Sequence, residues 1–166
     1  VTTIGINAFM DCNLLESVTL SNSLTYIGGG SFTGCPNLQY NQYENGNYLG
    51  SEEAPYMLLV RFNTNSNRTV NINNAVKFIG YGAFTLCESL ENVVLPRGGL
   101  EISACAFDGC NNLKTVYIPS SVTCVEQWAF IKCGVETINC GAPSKPDSWA
   151  DNWIETRAEI TVNWGC

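Results

Sequence analysis

Histidine is absent from these 166 residues, and only 14% of them are charged, against roughly a quarter in an average domain. Without imidazole the Ser-His-Asp and Cys-His catalytic arrangements, most zinc sites and the usual proton shuttle at neutral pH are excluded. Basic residues are scarce as well. Eight Lys and Arg stand against fifteen Asp and Glu, a net charge of −7, which argues against wrapping nucleic acid or an anionic membrane. No stretch approaches the eighteen or so apolar residues of a membrane span, so no membrane insertion by this segment is expected. The chain opens on Val1 with no charged-then-apolar leader, and it reads as a piece of something longer. What is abundant instead is asparagine, nineteen in all, so solubility rests on neutral amides and hydroxyls.

The nine cysteines are explained by periodicity. Phe9-Met10-Asp11-Cys12, Phe32-Thr33-Gly34-Cys35, Phe84-Thr85-Leu86-Cys87, Phe107-Asp108-Gly109-Cys110 and Phe130-Ile131-Lys132-Cys133 follow one another at steps of 23, 52, 23 and 23 residues. Five residues before each Phe stands Ile4, Ile27, Ile79, Ile102 or Val125; three after the Cys stands Leu15, Leu38, Leu90 or Leu113, with Val135 one residue early in the last copy. Each coil then carries an alternating apolar pair such as Val93 and Leu95 or Val116 and Ile118. Such a unit cannot bury its apolar side alone, and stacking turns its fixed positions into columns. Strands are predicted around residues 18, 41, 70, 93, 116, 138 and 160. The long step holds a further strand at Val70-Asn71-Ile72 whose Phe-x-x-Cys half is missing, and a hairpin of Tyr48-Leu49 against Met57 to Phe62 stands in its place.

Cys12, Cys35, Cys87, Cys110 and Cys133 occupy one column and read as small buried fillers, mostly reduced. No CxxC-like convergence supports a metal or redox site. Cys105, Cys124, Cys140 and Cys166 lie off the column and are left open as possible partners for one another.

These units resemble the BspA-type leucine-rich repeat, in Val1 through Leu20, in Phe78-Ile79-Gly80-Tyr81-Gly82-Ala83-Phe84 and in Leu113 through Thr123. The resemblance covers about residues 1–140 as five copies plus the hairpin variant. Departures are Ser31 in place of Ala, Asn41 at an inward strand position and the shortened Cys133 to Ile138 copy. It implies an α/β, strand-rich leucine-rich-repeat solenoid of right-handed coils stacking about seven short parallel strands. The expected division is a solenoid over 1–140, with its hairpin coil at about 44–75, and a capping segment over 141–166 with a last strand. The family resemblance further implies a bacterial cell-surface or secreted protein, not an enzyme, that adheres to host extracellular or microbial surface proteins.

Function on such a scaffold lies in the exposed positions. Residues flanking each inward strand residue point outward, and from them the binding candidates are Tyr40, Gln42, Asn71, Asn92, Val94, Thr115 and Tyr117. The plain alternative is that Thr and Tyr are simply good strand residues on a solvated sheet. A second candidate surface is the hairpin, with Tyr48 and Tyr56 flanking the Glu52-Glu53 tip, although apolar Leu49, Leu58 and Val60 are expected to fold it against the solenoid. In the tail, Pro146-Asp147-Ser148 predicts a helix start, with Trp149 and Trp153 on one face. The pair is read as a cover for the last coil, with stacking on a sugar as the competing use. Asp147, Asp151, Glu155 and Glu159 read as a solvated face, since carboxylates on one helix face cannot straddle a glycosidic bond. Asn67-Arg68-Thr69 matches a glycosylation acceptor. No catalytic residue, metal ligand or cofactor is expected. A non-catalytic protein-binding module leads, with a carbohydrate-binding module or a structural spacer as alternatives.

Overall fold

The computed structural model describes residues 1–63, 68–156 and 159–166. The first half contains β1 (Thr3–Ile4), β2 (Tyr26–Ile27), β3 (Asn41–Tyr43), β4 (Gly46–Leu49), β5 (Leu58–Phe62), β6 (Phe78–Ile79) and β7 (Asn92–Val94). The second contains β8 (Glu101–Ile102), β9 (Thr115–Ile118), β10 (Cys124–Val125), β11 (Phe130–Ile131), β12 (Thr137–Cys140), β13 (Ile154–Glu155) and β14 (Thr161–Trp164). The expected α/β character is overturned: no helix occurs among the described residues.

The reason lies in the Phe-x-x-Cys segments. Residues two before and two after each Phe have positive φ: Asn7 and Asp11, Gly30 and Gly34, Gly82 and Leu86, Cys105 and Gly109, Trp128 and Lys132. A left-handed residue every fourth position prevents a helix from propagating. Within the segment, Ala83, Thr85 and Cys87 N–H groups bond back three residues, whereas Phe84 and Leu86 N–H groups reach Ala106 O (2.8 Å) and Asp108 O (2.9 Å) on the next coil. Alternate amides therefore join coils together. Non-glycine residues carry strain at these positions, so replacing exposed Lys132 (φ 49°) by Gly is expected to raise stability by about 1 kcal/mol, read as a higher urea midpoint at unchanged slope.

Four parallel strands in the order β14-β12-β9-β7 form one wall of the solenoid. In β7, β9 and β12 the register puts Val93, Val116 and Ile138 in one inward row. The last strand is shifted from the expected register: Ile138 pairs with Val162, not Ile160. The position around Val70 contributes only a bridge from Thr69 to Asn92, and no strand forms at residues 17–20. There the ladder starts, with Gln39 N–H on Glu16 O (2.9 Å), and is then diverted. The strand expected at 41 belongs to an antiparallel meander, β3 on β4 and β4 on β5. Asn41 is exposed rather than inward, its side-chain amide donating to Pro55 O (2.8 Å).

The other wall went unrecognised in the sequence. The two-residue strands ending at Ile79, Ile102 and Val125 line up beside β5 in a six-stranded sheet, order β10-β8-β6-β5-β4-β3. This sheet separates two cores. Leu59, Phe62, Ile79, Ile102 and Val125 face the main solenoid interior. Leu58 and Phe78 face a second core built with Leu20, Leu24, Ile27, Phe32, Cys35 and Leu38 from the first two coils. The N-terminal coils thus lie across the outer face of the six-stranded sheet, and the expected single stack is broken at the meander.

Inside the main core the repeated phenylalanines stand in file. Phe62 to Phe84, Phe84 to Phe107 and Phe107 to Phe130 are stacked at 5.6, 4.9 and 4.8 Å, close to the interstrand spacing of about 4.8 Å. Phe62, from the hairpin, takes the place of the missing Phe. The column thiols bridge coils: Cys35 donates to Phe9 O (3.0 Å), Cys87 to Phe62 O (3.5 Å) and Cys110 to Phe84 O (3.0 Å). Burial pushes the Cys110 and Cys133 thiols upward in pKa, which keeps them protonated and unreactive. Ser31, where the repeat has Ala, is buried with its hydroxyl bonded to Gly5 O and Gly28 O.

The tail is made of turns over residues 146–153, so the helix expected there is absent, and with it the helical alignment of its carboxylates. Trp153 nevertheless packs edge-on against Phe130 (5.7 Å), with Trp149 edge-on against Trp153 (5.1 Å). Trp149 Nε1 donates to Val122 O (3.3 Å), and Ala150 N–H to Val125 O (2.8 Å). Asn67 of the glycosylation-like triplet lies outside the described residues.

Candidate binding face

Side chains of successive residues in a strand alternate between faces, so the β14-β12-β9-β7 sheet presents two outward rows. The register aligns Asn92, Thr115, Thr137 and Thr161 in one row, with Thr69 joined to it by the bridge. Val94, Tyr117, Asn139 and Asn163 form the other. Charge is absent from both rows. Asn163 Nδ2 donates to Asn139 Oδ1 (2.9 Å), an amide pair of neighbouring coils, and Tyr117 OH reaches Cys166 O (3.4 Å). Val94 is 64% exposed on the edge strand β7 of this polar surface, with half-buried Tyr117 beside it.

Of the seven residues read from the sequence, Asn92, Val94, Thr115 and Tyr117 come together on this face. Asn71 is exposed two residues beyond the Thr69 bridge. Gln42 lies on β3 in the other sheet, and half-buried Tyr40 immediately precedes that strand, because the meander carries this segment away from the parallel ladder. Asn163 belongs to the face but falls outside the expected register of the last strand. The Asn45-Gly46 dipeptide, a common hairpin signal, stands one residue late at the β3–β4 turn, whose two loop residues are Glu44 (φ 51°) and Asn45, with Gly46 paired to Tyr43.

The hairpin folds against the solenoid through Leu49, Leu58 and Val60, as its apolar residues imply. Tyr48 is fully buried in a cluster with Tyr43 and Tyr56, where burial pushes its phenol up to about 12. Leu49 and Leu58 are buried as well. Trp149 and Trp153 are 2% and 5% exposed, so they cannot stack on a sugar.

Beneath the N-terminal coils lies Glu101 on β8, 1% exposed and the one buried carboxyl among the described residues. Its Oε2 accepts from Ile27 N–H (3.2 Å) and its Oε1 from Ser103 Oγ (3.3 Å). Next to it, Glu126 accepts from Tyr26 OH (2.9 Å) and Ala104 N–H (2.8 Å). Burial raises the Glu101 carboxyl to about 8, and the Glu126 charge adds to the effect. No group of three or more Cys, Asp or Glu side chains placed to hold a metal occurs among the described residues.

The repeat geometry agrees with a sequence match to the BspA type Leucine rich repeat region, in six copies over residues 1–53 and 61–146. The chain belongs to this family. BspA-type repeats are structural and adhesive modules, not catalysts. No curated protein matches the chain. Among solved structures, the pneumococcal vaccine antigen PcpA is similar at 17% identity and a TM-score of 0.51, over 99% of this chain and 49% of that one. The leucine-rich repeat protein TpLRR of T. pallidum is 24% identical, with a TM-score of 0.40 over 84% of this chain and 66% of its own. A leucine-rich cell surface protein of Faecalibacterium prausnitzii A2-165 is 18% identical, with a TM-score of 0.38 over 100% and 52%. The BspA-type chain described here thus spans about half the length of PcpA, and at these identities the likeness concerns the fold.

Proposed function

We propose that this chain is a protein-binding module of a cell-surface or secreted protein, and that its partner lies on the outward face of the β14-β12-β9-β7 sheet. The observation that carries this reading is an asymmetry between the two walls. The outer face of the six-stranded sheet is covered by the first two coils through Leu58 and Phe78, whereas Val94 on the four-stranded sheet remains exposed. Uncharged rows of Asn and Thr around Val94 and Tyr117 supply hydrogen-bonding groups without the desolvation cost of ions, and an aromatic next to an aliphatic residue is a common centre for an interface. Surface placement and adhesion rest on family membership.

The test is surface plasmon resonance against purified host extracellular-matrix proteins and bacterial surface proteins. For a partner that binds, the Val94→Asp, Tyr117→Ala variant should lose at least about thirtyfold in affinity, the effect of one strong interface residue. Tyr40→Ala should lose nothing. A double variant that retains the wild-type circular dichroism and full affinity would remove the face from consideration.

A further inference from the structure

A cleft of about 340 Å³ opens where the first two coils meet β5 and β6, within the range of about 300–1,000 Å³ that holds small ligands. Its lining includes no Asp or Glu, and Arg61 is its only ionised side chain, in a chain with nearly twice as many acids as bases. Arg61 is exposed and makes no ion pair among the described residues. The neighbouring cleft has the opposite character: Glu126, Asp147 and Asp151 line it without any Lys or Arg. The two share Tyr81, 49% exposed. An anion entering this junction is therefore repelled on one side of Tyr81 and attracted on the other.

The rest of the Arg61 cleft limits what the anion can be. Tyr40 and Tyr81 supply aromatic surface, which suits the C–H face of a pyranose ring. Thr33 and Thr85 supply hydroxyls that make no hydrogen bond among the described residues, whereas Ser31 and Ser103 already use theirs. One guanidinium matches one carboxylate, in bidentate fashion. We propose that this cleft binds a carboxylate-bearing sugar residue, with the carboxylate on Arg61 and the ring against Tyr40 and Tyr81. The site is separate from the strand face and stands independently of it.

The experiment is an NMR titration of the ¹⁵N-labelled chain with D-glucuronate, methyl β-D-glucoside and acetate as separate probes. Glucuronate should give saturable amide shifts confined to residues 30–34, 58–61 and 80–85. Methyl glucoside and acetate should bind at least tenfold more weakly. Arg61→Met and Tyr81→Ala, both at exposed positions, should each weaken glucuronate about tenfold while leaving the rest of the spectrum in place. Absence of saturation with glucuronate overturns the proposal, as does an unchanged affinity in Arg61→Met. Acetate binding as tightly as glucuronate would show an anion site only and would overturn the sugar assignment.

Discussion

Phe107→Ala is expected to destabilise the fold by about 3–5 kcal/mol, the largest effect of any single truncation in the phenylalanine file. Phe107 is fully buried, with Phe84 at 4.9 Å and Phe130 at 4.8 Å and both rings within 4° of parallel. Its removal opens a cavity bounded by two rings whose backbones are fixed by intercoil hydrogen bonds, Phe84 N–H to Ala106 O and Phe130 N–H to Trp153 O. Collapse is therefore restricted, and the cost of the cavity stays near its upper range. In thermal unfolding this corresponds to a drop on the order of 10 °C. Phe9 is the contrast. It stacks on Phe32 at 5.4 Å in the N-terminal coils but is 36% exposed, so Phe9→Ala should cost less than half as much. Equal losses at the two positions would contradict the idea that the file acts through burial between coils.

Glu101→Gln should stabilise the protein above neutral pH and leave it almost unchanged at pH 4.5. The folded carboxyl is raised to about 8 by burial first and by Glu126 second, above its ordinary value near 4.5. Between those pH values the folded state holds a proton that the unfolded chain releases. Stability linked to Glu101 is thus fully present below about pH 4.5 and is lost as pH rises toward 8. At about 1.4 kcal/mol per pH unit, the total over this window is about 5 kcal/mol. The charge that forms at high pH lies among Glu126, the Tyr26 phenol and Cys124, with the Ile27 N–H and the Ser103 hydroxyl its only donors among the described residues. Melting temperatures of wild type and Glu101→Gln, measured from pH 4.5 to 8.5, should diverge steadily through this window. Parallel curves would show that Glu101 ionises without cost where it stands.

Much of the architecture was legible because a solenoid repeats its reasons. Phe84, Phe107 and Phe130 share a sequence position, and equal chain lengths between them bring their rings into one file. The strands at 93, 116 and 138 followed from the same arithmetic. The candidate face was readable wherever that arithmetic held, at Asn92, Val94, Thr115 and Tyr117. It failed at Tyr40 and Gln42, where the β3–β4–β5 meander interrupts the period. The α/β character implied by the family resemblance failed for a backbone reason: Leu86, Cys105, Trp128 and Lys132 adopt φ values ordinarily taken by glycine, and nothing in their side chains announces it.

Periodicity alone thus determined which residues lie inside a coil, since spacing along the chain becomes height along the stack. Where the first two coils go was settled only by tertiary packing. Leu58 and Phe78 face one core while Leu59 and Ile79 face another, and an alternating strand pattern does not say whether its second face meets water or a neighbouring coil. That contact also buries Glu101, a residue whose sequence position gives no warning that its carboxyl will lie beneath Ile27.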